Sequence, residues 1–201
     1  MAWLSDMRQR LASLEVSLAR MPEEIGVKPK AILMVSGHWE EPEFAVMSGA
    51  RPGMVYDYSG FPPETYKIVY PAPGAPDLAE RTAGLLKAAG LPTRLAPDQG
   101  FDHGTFAPAY VMYPEADVPI YQVSLQHGYD PAAHFALGRA LAPLRDEGVL
   151  IVGSGLSYHN LRLFGPGAKE PSAAFDVWLD GAVNAAPEAR TRALLDWDKA
   201  P

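Results

Sequence analysis

Three short apolar runs, separated by longer segments with helix or turn signals, constrain the fold of this chain more than any other feature. They occupy residues 30–35 (KAILMV), 118–125 (VPIYQVSL) and 148–152 (GVLIV). A run without polar alternation is typical of a strand that is buried on both faces. A shorter strand is predicted at residues 93–96. Because strands that alternate with helices form parallel βαβ units, the sequence predicts an α/β fold with a central, mostly parallel sheet flanked by helices.

Three segments around these runs have the features of helices. Residues 77–89 follow Pro76 and stop before Gly90, and residues 131–147 begin at a proline. The first helix, which Pro22 is predicted to close, has one apolar face with steps of three and four, formed by Leu4, Met7, Leu11, Leu14, Leu18 and Met21. We expect this helix to pack on the sheet, and a coiled-coil dimer is the alternative.

Charge and composition narrow the partners and the chemistry. The chain has 201 residues and a formal net charge of −7, and it contains no cluster of basic residues, which argues against nucleic acid or an anionic membrane as a partner. The remaining candidate partners are small molecules and, in a homo-oligomer, further copies of the chain. The absence of cysteine means that a metal ion would be held by nitrogen and oxygen atoms. Without a signal peptide or a long apolar span, the expected location is cytoplasmic.

Histidines follow the predicted strands. His38, His127 and His159 each come shortly after one of the apolar runs, and His103 lies in a glycine-containing segment. Loops that follow parallel strands gather at one edge of the sheet, so these side chains are predicted to face a common crevice. Imidazole binds iron and zinc, and it also titrates near neutral pH, so such a site could combine a metal ion with a base.

The individual histidines leave alternatives open. His38 is interpreted as a metal ligand, with structural hydrogen bonding as the alternative, and His159 as a base or a ligand. His103 is placed in a loop at residues 97–108, where Asp102 either fixes its tautomer or only forms an Asx turn.

Other polar residues give weaker signals. His127 could equally be an ordinary surface histidine, and His134 is predicted to cap a helix or to be a satisfied, half-buried group. Tyr56, Asp57 and Tyr58 precede a Gly-Phe-Pro turn and could form a wall for an aromatic substrate, or simply an ordered surface loop.

Five motifs occur in an order that is known from one family. They are SGHW (36–39), YDYSGFPPETY (56–66) followed by YPAPGAPDLA (70–79), GFDHGTFAP (100–108), VPIYQVSL (118–125) and DEGVLIVGSGLSYHNLR (146–162). Over roughly residues 28 to 165, the sequence resembles the class III extradiol ring-cleavage dioxygenases, in the DOPA-dioxygenase-like branch of the LigB superfamily.

The resemblance implies a LigB-like fold and a mononuclear Fe(II) site, with Zn(II) as the other possible metal. It implies cleavage of the aromatic ring of a catechol-type substrate with O₂. His38 matches the metal-binding histidine, and His159 matches the base, which in zinc-loaded members is close enough to act as a ligand. His103 matches a histidine that hydrogen-bonds oxygen or substrate. The residues assigned to substrate binding are Tyr56, Asp57, Asn160 and His127.

The resemblance also has departures. The family's first histidine motif and its last ligand motif do not occur within residues 1–201, which are interpreted as a single catalytic domain without the first strand and the C-terminal ligand segment. We therefore expect weak Fe(II) binding and little ring cleavage from this chain alone. A metal-dependent hydrolase and a non-catalytic protein that binds a metal or an aromatic ligand are the alternative functions.

Overall fold

The computed structural model describes residues 11–163 and 165–201, so Leu4 and Met7 of the first predicted helix lie outside the described residues. None of the described helices is long and apolar enough to span a membrane. The strands are β1 (Ala31–Ser36), β2 (Glu40–Glu41), β3 (Phe44–Met47), β4 (Thr93–Ala96), β5 (Ile120–Gln122), β6 (Leu125–Gln126) and β7 (Val149–Ser154). The α-helices are α1 (Ala12–Ile25), α2 (Pro76–Ala88), α3 (His103–Met112), α4 (Pro131–Leu141), α5 (Pro143–Asp146), α6 (Lys169–Val183) and α7 (Pro187–Leu195).

The first long strand, β1, lies at the centre of a parallel sheet with the order β5-β1-β7. Its register places Leu33 opposite Tyr121 on one side and Ile151 on the other. Residues 31–34 are fully buried, which explains why this run shows no polar alternation. The predicted α/β architecture with a central parallel sheet is confirmed.

Two further strand pairs extend this layer. β3 pairs with β4 and β2 pairs with β6, both in parallel. The single strand predicted at residues 118–125 is wrong, because the chain changes partners within it. Ser124 N–H donates to Ala45 O at 2.9 Å, and Leu125 N–H donates to Trp39 O at 2.8 Å. The segment thus pairs first with β1, then contacts β3 and finally pairs with β2.

The predicted bounds of two helices need correction. α1 continues through Pro22 and ends at Gly26, whose positive φ of 73° is the left-handed conformation that glycine favours and whose N–H donates to Pro22 O. A proline in the last turn removes only one backbone hydrogen bond, so the helix tolerates it. α1 packs against α3. The helix predicted at residues 131–147 is divided into α4 and α5, and the second of these begins at Pro143.

Candidate functional site

Three histidines from separate elements meet at the carboxyl edge of the central sheet. His38 follows β1, His159 follows β7 and His103 begins α3. The ring centroids of His38 and His103 are 4.0 Å apart, and those of His38 and His159 are 6.2 Å apart. β1 and β7 are parallel neighbours, so the residues that follow them emerge side by side, and the predicted convergence is observed.

His103 lies on a helix, so the loop predicted at residues 97–108 is wrong in its second half. Asp102 is the N-cap of α3, and its carboxylate accepts the backbone N–H of Thr105 at 3.1 Å. The carboxylate that contacts the ring of His103 belongs instead to Asp57. The Asx alternative for Asp102 is therefore the one observed, and the sequence interval of 46 residues between Asp57 and His103 concealed their pairing.

All three strands of the central sheet hold the first turn of α3 through polar side chains that are buried or partly buried. The hydrogen bonds run from Ser36 Oγ in β1 to Asp102 Oδ1 (2.6 Å), from Ser154 Oγ in β7 to Gly104 O (2.5 Å), and from Thr105 Oγ1 to Gln122 Oε1 in β5. A buried network of this kind fixes the orientation of the turn, since each lost bond would leave a desolvated polar atom. The position of His103 is thus defined by the sheet itself.

Asp102 is almost completely buried, with 1% of its surface exposed. Burial raises the pKa of its carboxyl group, and the neighbouring charge of Asp57 raises it further, although the hydrogen bond from Ser36 acts in the opposite direction. Its second oxygen, Oδ2, has no hydrogen-bond partner within the described part of the chain.

Asp57 lies between two of the histidines. Its Oδ1 accepts the backbone N–H of His103 at 2.9 Å, and the ring Nδ1 of His103 is 2.9 Å from both carboxylate oxygens. The Nδ1 of His38 is 3.3 Å from Asp57 Oδ2. Partial burial raises the pKa of Asp57, but the hydrogen bonds from the backbone and ring of His103 outweigh this and hold the pKa below its ordinary value. A negative charge is thereby fixed beside two imidazoles.

A cleft of about 530 Å³ opens over the three histidines. One wall is the apolar face of α1, and the others come from α3 and from the end of β7; the apolar lining residues include Leu14, Leu18, Met21, Ala107, Val111, Val152 and Leu156. This volume is within the usual range for small-molecule sites, and such sites combine apolar walls with few polar groups. The cleft therefore offers space for a small, mainly apolar molecule beside the imidazoles.

The loop that contains Asp57 also brings aromatic rings to the site. The ring of Tyr58 meets that of His103 edge-on, with centroids 5.6 Å apart. The hydroxyl of Tyr58 donates to Thr65 O and that of Tyr56 donates to Ile68 O, both at 2.7 Å. These hydroxyls are thus engaged by the backbone, and the segment is an ordered aromatic wall.

The remaining predicted residues lie in different settings. Asn160 is exposed, and its side-chain oxygen accepts a backbone N–H at 3.0 Å. His127 is exposed in the turn after β6 and does not line the cleft. His134 is half-buried; its Nε2 accepts the backbone N–H of Gln126 at 3.2 Å, and its Nδ1 is 2.8 Å from Asp130 O. The structural role predicted for His134 is confirmed.

The site also has the donor atoms of a metal centre. His38, Asp57 and His103 each offer one nitrogen or oxygen atom, and these atoms lie within 4.8 Å of one another. Imidazole together with carboxylate is a donor set that suits non-haem Fe(II) and Zn(II). The arrangement could therefore hold a metal ion at the floor of an apolar cleft.

The chain is similar in sequence to proteins of a known family. Residues 8–200 match the family described as the catalytic LigB subunit of aromatic ring-opening dioxygenase. The 4,5-DOPA dioxygenase extradiol of Portulaca grandiflora is 44% identical over 161 residues, which cover 78% of this chain and 59% of that protein. The protein of the same name from Escherichia coli K12 is 44% identical over 136 residues, which cover 67% of this chain and 49% of that protein.

The similarity extends to a solved structure. A crystal structure of an uncharacterized protein from Escherichia coli K12 superimposes with a TM-score of 0.69 at 33% sequence identity, covering 89% of this chain and 70% of that one. The chain spans between 49% and 59% of the length of the two curated relatives above. It thus corresponds to a substantial part of each of these longer proteins.

Proposed function

Because the chain belongs to the LigB family of aromatic ring-opening dioxygenases, we propose that it supplies the reaction centre of a metal-dependent extradiol dioxygenase. The reaction would open the aromatic ring of a catechol-type substrate with O₂, in the cytoplasm. The observation that most supports this proposal is the meeting of His38, His103 and His159 in one largely apolar cleft.

Imidazole nitrogens at the cleft floor suit a mononuclear Fe(II) or Zn(II) ion. His38 would be a ligand, and His159, whose ring lies 6.2 Å from that of His38, would lie beside the ion as the base and would be a further ligand with Zn(II). Fe(II) is the proposed metal and Zn(II) is the alternative. When bound, the ion supplies Lewis acidity and coordination positions for the two diol oxygens and O₂.

The side chains of the cleft would accept protons, form hydrogen bonds and exclude water. A catechol loses a proton when its diol binds, and the imidazole of His159 would accept that proton. His103, which lines the same cleft, would donate or accept a hydrogen bond at the substrate or the oxygen. The apolar face of α1 would cover the ring of the substrate and keep bulk water away from the reacting atoms.

The substituents of the substrate would contact side chains at the margin of the cleft. Tyr56 belongs to the aromatic wall, and Asn160 is next to His159, so both are retained as candidate substrate contacts. His127 remains a prediction on sequence grounds only. Asp57 instead contacts the rings of His103 and His38.

An oxygen-electrode assay tests the function directly. The test uses the extended protein, in which the family's first histidine motif and last ligand motif are restored. Supplied with Fe(II) and a catechol, the extended protein should consume O₂ in proportion to the ring-opened product, which is measured by absorbance, whereas residues 1–201 alone should form little product. His159→Phe should keep most of its metal and lose turnover by roughly 10²- to 10⁴-fold, as expected for a base, whereas His38→Ala should lose the metal.

The controls are the metal-free protein and an anaerobic reaction, and neither should form product. Equal metal loss in both variants would make His159 chiefly a ligand. Turnover of an ester or amide with zinc and without O₂ consumption would favour the alternative of a metal-dependent hydrolase.

A further inference from the structure

Asp57 makes contacts that a substrate-binding residue would not need. We propose that Asp57 is a positioning residue, whose carboxylate accepts the Nδ1–H of His103 and thereby directs the Nε2 of that ring into the cleft. Only the effect of this pairing on turnover rests on the proposed function; the pairing itself does not.

Backbone pairing brings Asp57 opposite His103. Val55 N–H donates to Phe101 O, and Phe101 N–H donates to Gly53 O, both at 2.8 Å. This pairing runs in parallel, so two residues further along each segment Asp57 reaches the start of α3. The register of the two segments therefore places the carboxylate beside the histidine.

The carboxylate holds His103 at two points. Its Oδ1 accepts the backbone N–H of His103 as well as the ring Nδ1, each at 2.9 Å. Two bonds to one group fix both the first turn of α3 and the rotation of the imidazole. Since Nδ1 is engaged, Nε2 is the ring nitrogen that remains available to a ligand in the cleft.

The same contacts argue that Asp57 acts as an acceptor rather than as a metal ligand. Both of its oxygens are within 2.9 Å of His103 Nδ1, and Oδ2 is also 3.3 Å from His38 Nδ1. As a metal ligand, Asp57 would weaken its bond to the His103 ring. A carboxylate that accepts the outer N–H of a histidine is the usual support for imidazoles at metal sites.

Ring nitrogen NMR of histidine-labelled, metal-free protein tests the pairing without any assay of activity. At alkaline pH, His103 of the unaltered protein should be mainly the Nδ1–H tautomer. Asp57→Ala should shift it towards the Nε2–H form, and Asp57→Asn, which retains one acceptor oxygen, should be intermediate. Asp98→Ala, an exposed aspartate in a neighbouring turn, is the matched control and should leave the tautomer unchanged.

Kinetics of the extended protein with a catechol provide the second readout. Asp57→Ala should lower kcat by roughly 10- to 100-fold with a smaller change in KM, and Asp57→Asn should recover part of the loss. A thermal unfolding curve for each variant verifies that the protein is folded. A predominantly Nε2–H tautomer in the unaltered protein, or an unchanged tautomer in Asp57→Ala, would overturn the proposal. If the tautomers behave as expected but no catechol is oxidised, only the proposed function fails.

Discussion

Gly104 is closely packed against Ser36, Asp102 and His38. A Cβ atom at this position would lie 3.2 Å from Cδ2 of His38 and 3.0 Å from Asp102 Oδ1, and it would clash with the buried hydroxyl of Ser36. The hydroxyl cannot move away without breaking its bond to Asp102. Glycine at this position is therefore a requirement of the site rather than of backbone conformation.

We predict that Gly104→Ala destabilises the protein by about 1 to 3 kcal/mol, the usual cost of overpacking, and displaces the ring of His38. Denaturant unfolding and metal titration measure the two effects. The matched control is Gly138→Ala in the middle of α4, where a Cβ meets nothing within 4 Å and should stabilise the helix by about 0.4 to 1 kcal/mol. Equal stability of the two variants would contradict this view of Gly104.

At the scale of elements, α1 determines the character of the cleft. Leu14 and Val16 are both exposed on this helix, at 43% and 57%, but only Leu14 lines the cleft. We predict that Leu14→Lys raises the KM for a neutral 4-alkylcatechol about tenfold, equivalent to about 1.4 kcal/mol, because the ammonium group replaces an apolar contact. The KM for 3,4-dihydroxybenzoate should fall, because its carboxylate would meet that charge.

Val16→Lys adds the same charge to the same helix outside the cleft, and it should change neither KM. Steady-state oxygen consumption by the extended protein with the two catechols compares the variants. A similar response of Leu14→Lys and Val16→Lys would mean that α1 influences the substrate only through net charge, and it would remove the helix from the substrate site.

The elements also show what the sequence could predict. Continuous apolar runs identified β1 and β7, the shorter strand predicted at residues 93–96 is β4, and the matching strand ends brought His38 and His159 together. β3 was missed although its four residues are apolar and buried, and α3 was missed because Pro108 lies inside it. The Asp102-x-x-Thr105 cap was a usable signal for α3. The contact of Asp57 with His103 depends on pairing between distant segments, which no local pattern encodes.

At the scale of the whole molecule, an ion pair joins β2 to β4, two strands that belong to different strand pairs. Glu41 in β2 accepts a hydrogen bond from Trp39 Nε1 at 3.0 Å and forms a 2.7 Å ion pair with Arg94 in β4. Partial burial raises the pKa of Glu41, but the bonds from Arg94 and Trp39 outweigh it, so the pKa is lowered. Charged Glu41 therefore favours the folded state.

The sign of this shift predicts a pH dependence of stability. A carboxyl group whose pKa is lowered by folding contributes stability above its unfolded pKa of about 4.3, and this stability is lost as the pH falls through the lower folded value. Glu41→Gln should be less stable than the unaltered protein at pH 6 by about 0.5 to 1 kcal/mol, a modest value because Arg94 is 42% exposed. The two free energies of unfolding should converge as the pH falls below the folded pKa, when the carboxyl group is protonated in both states. Denaturant unfolding across this range measures the gap, and exposed Glu80→Gln in α2 should follow the unaltered protein at every pH. A gap for Glu41→Gln that stays constant down to acid pH would show that Glu41 stabilises the fold by packing rather than by its charge.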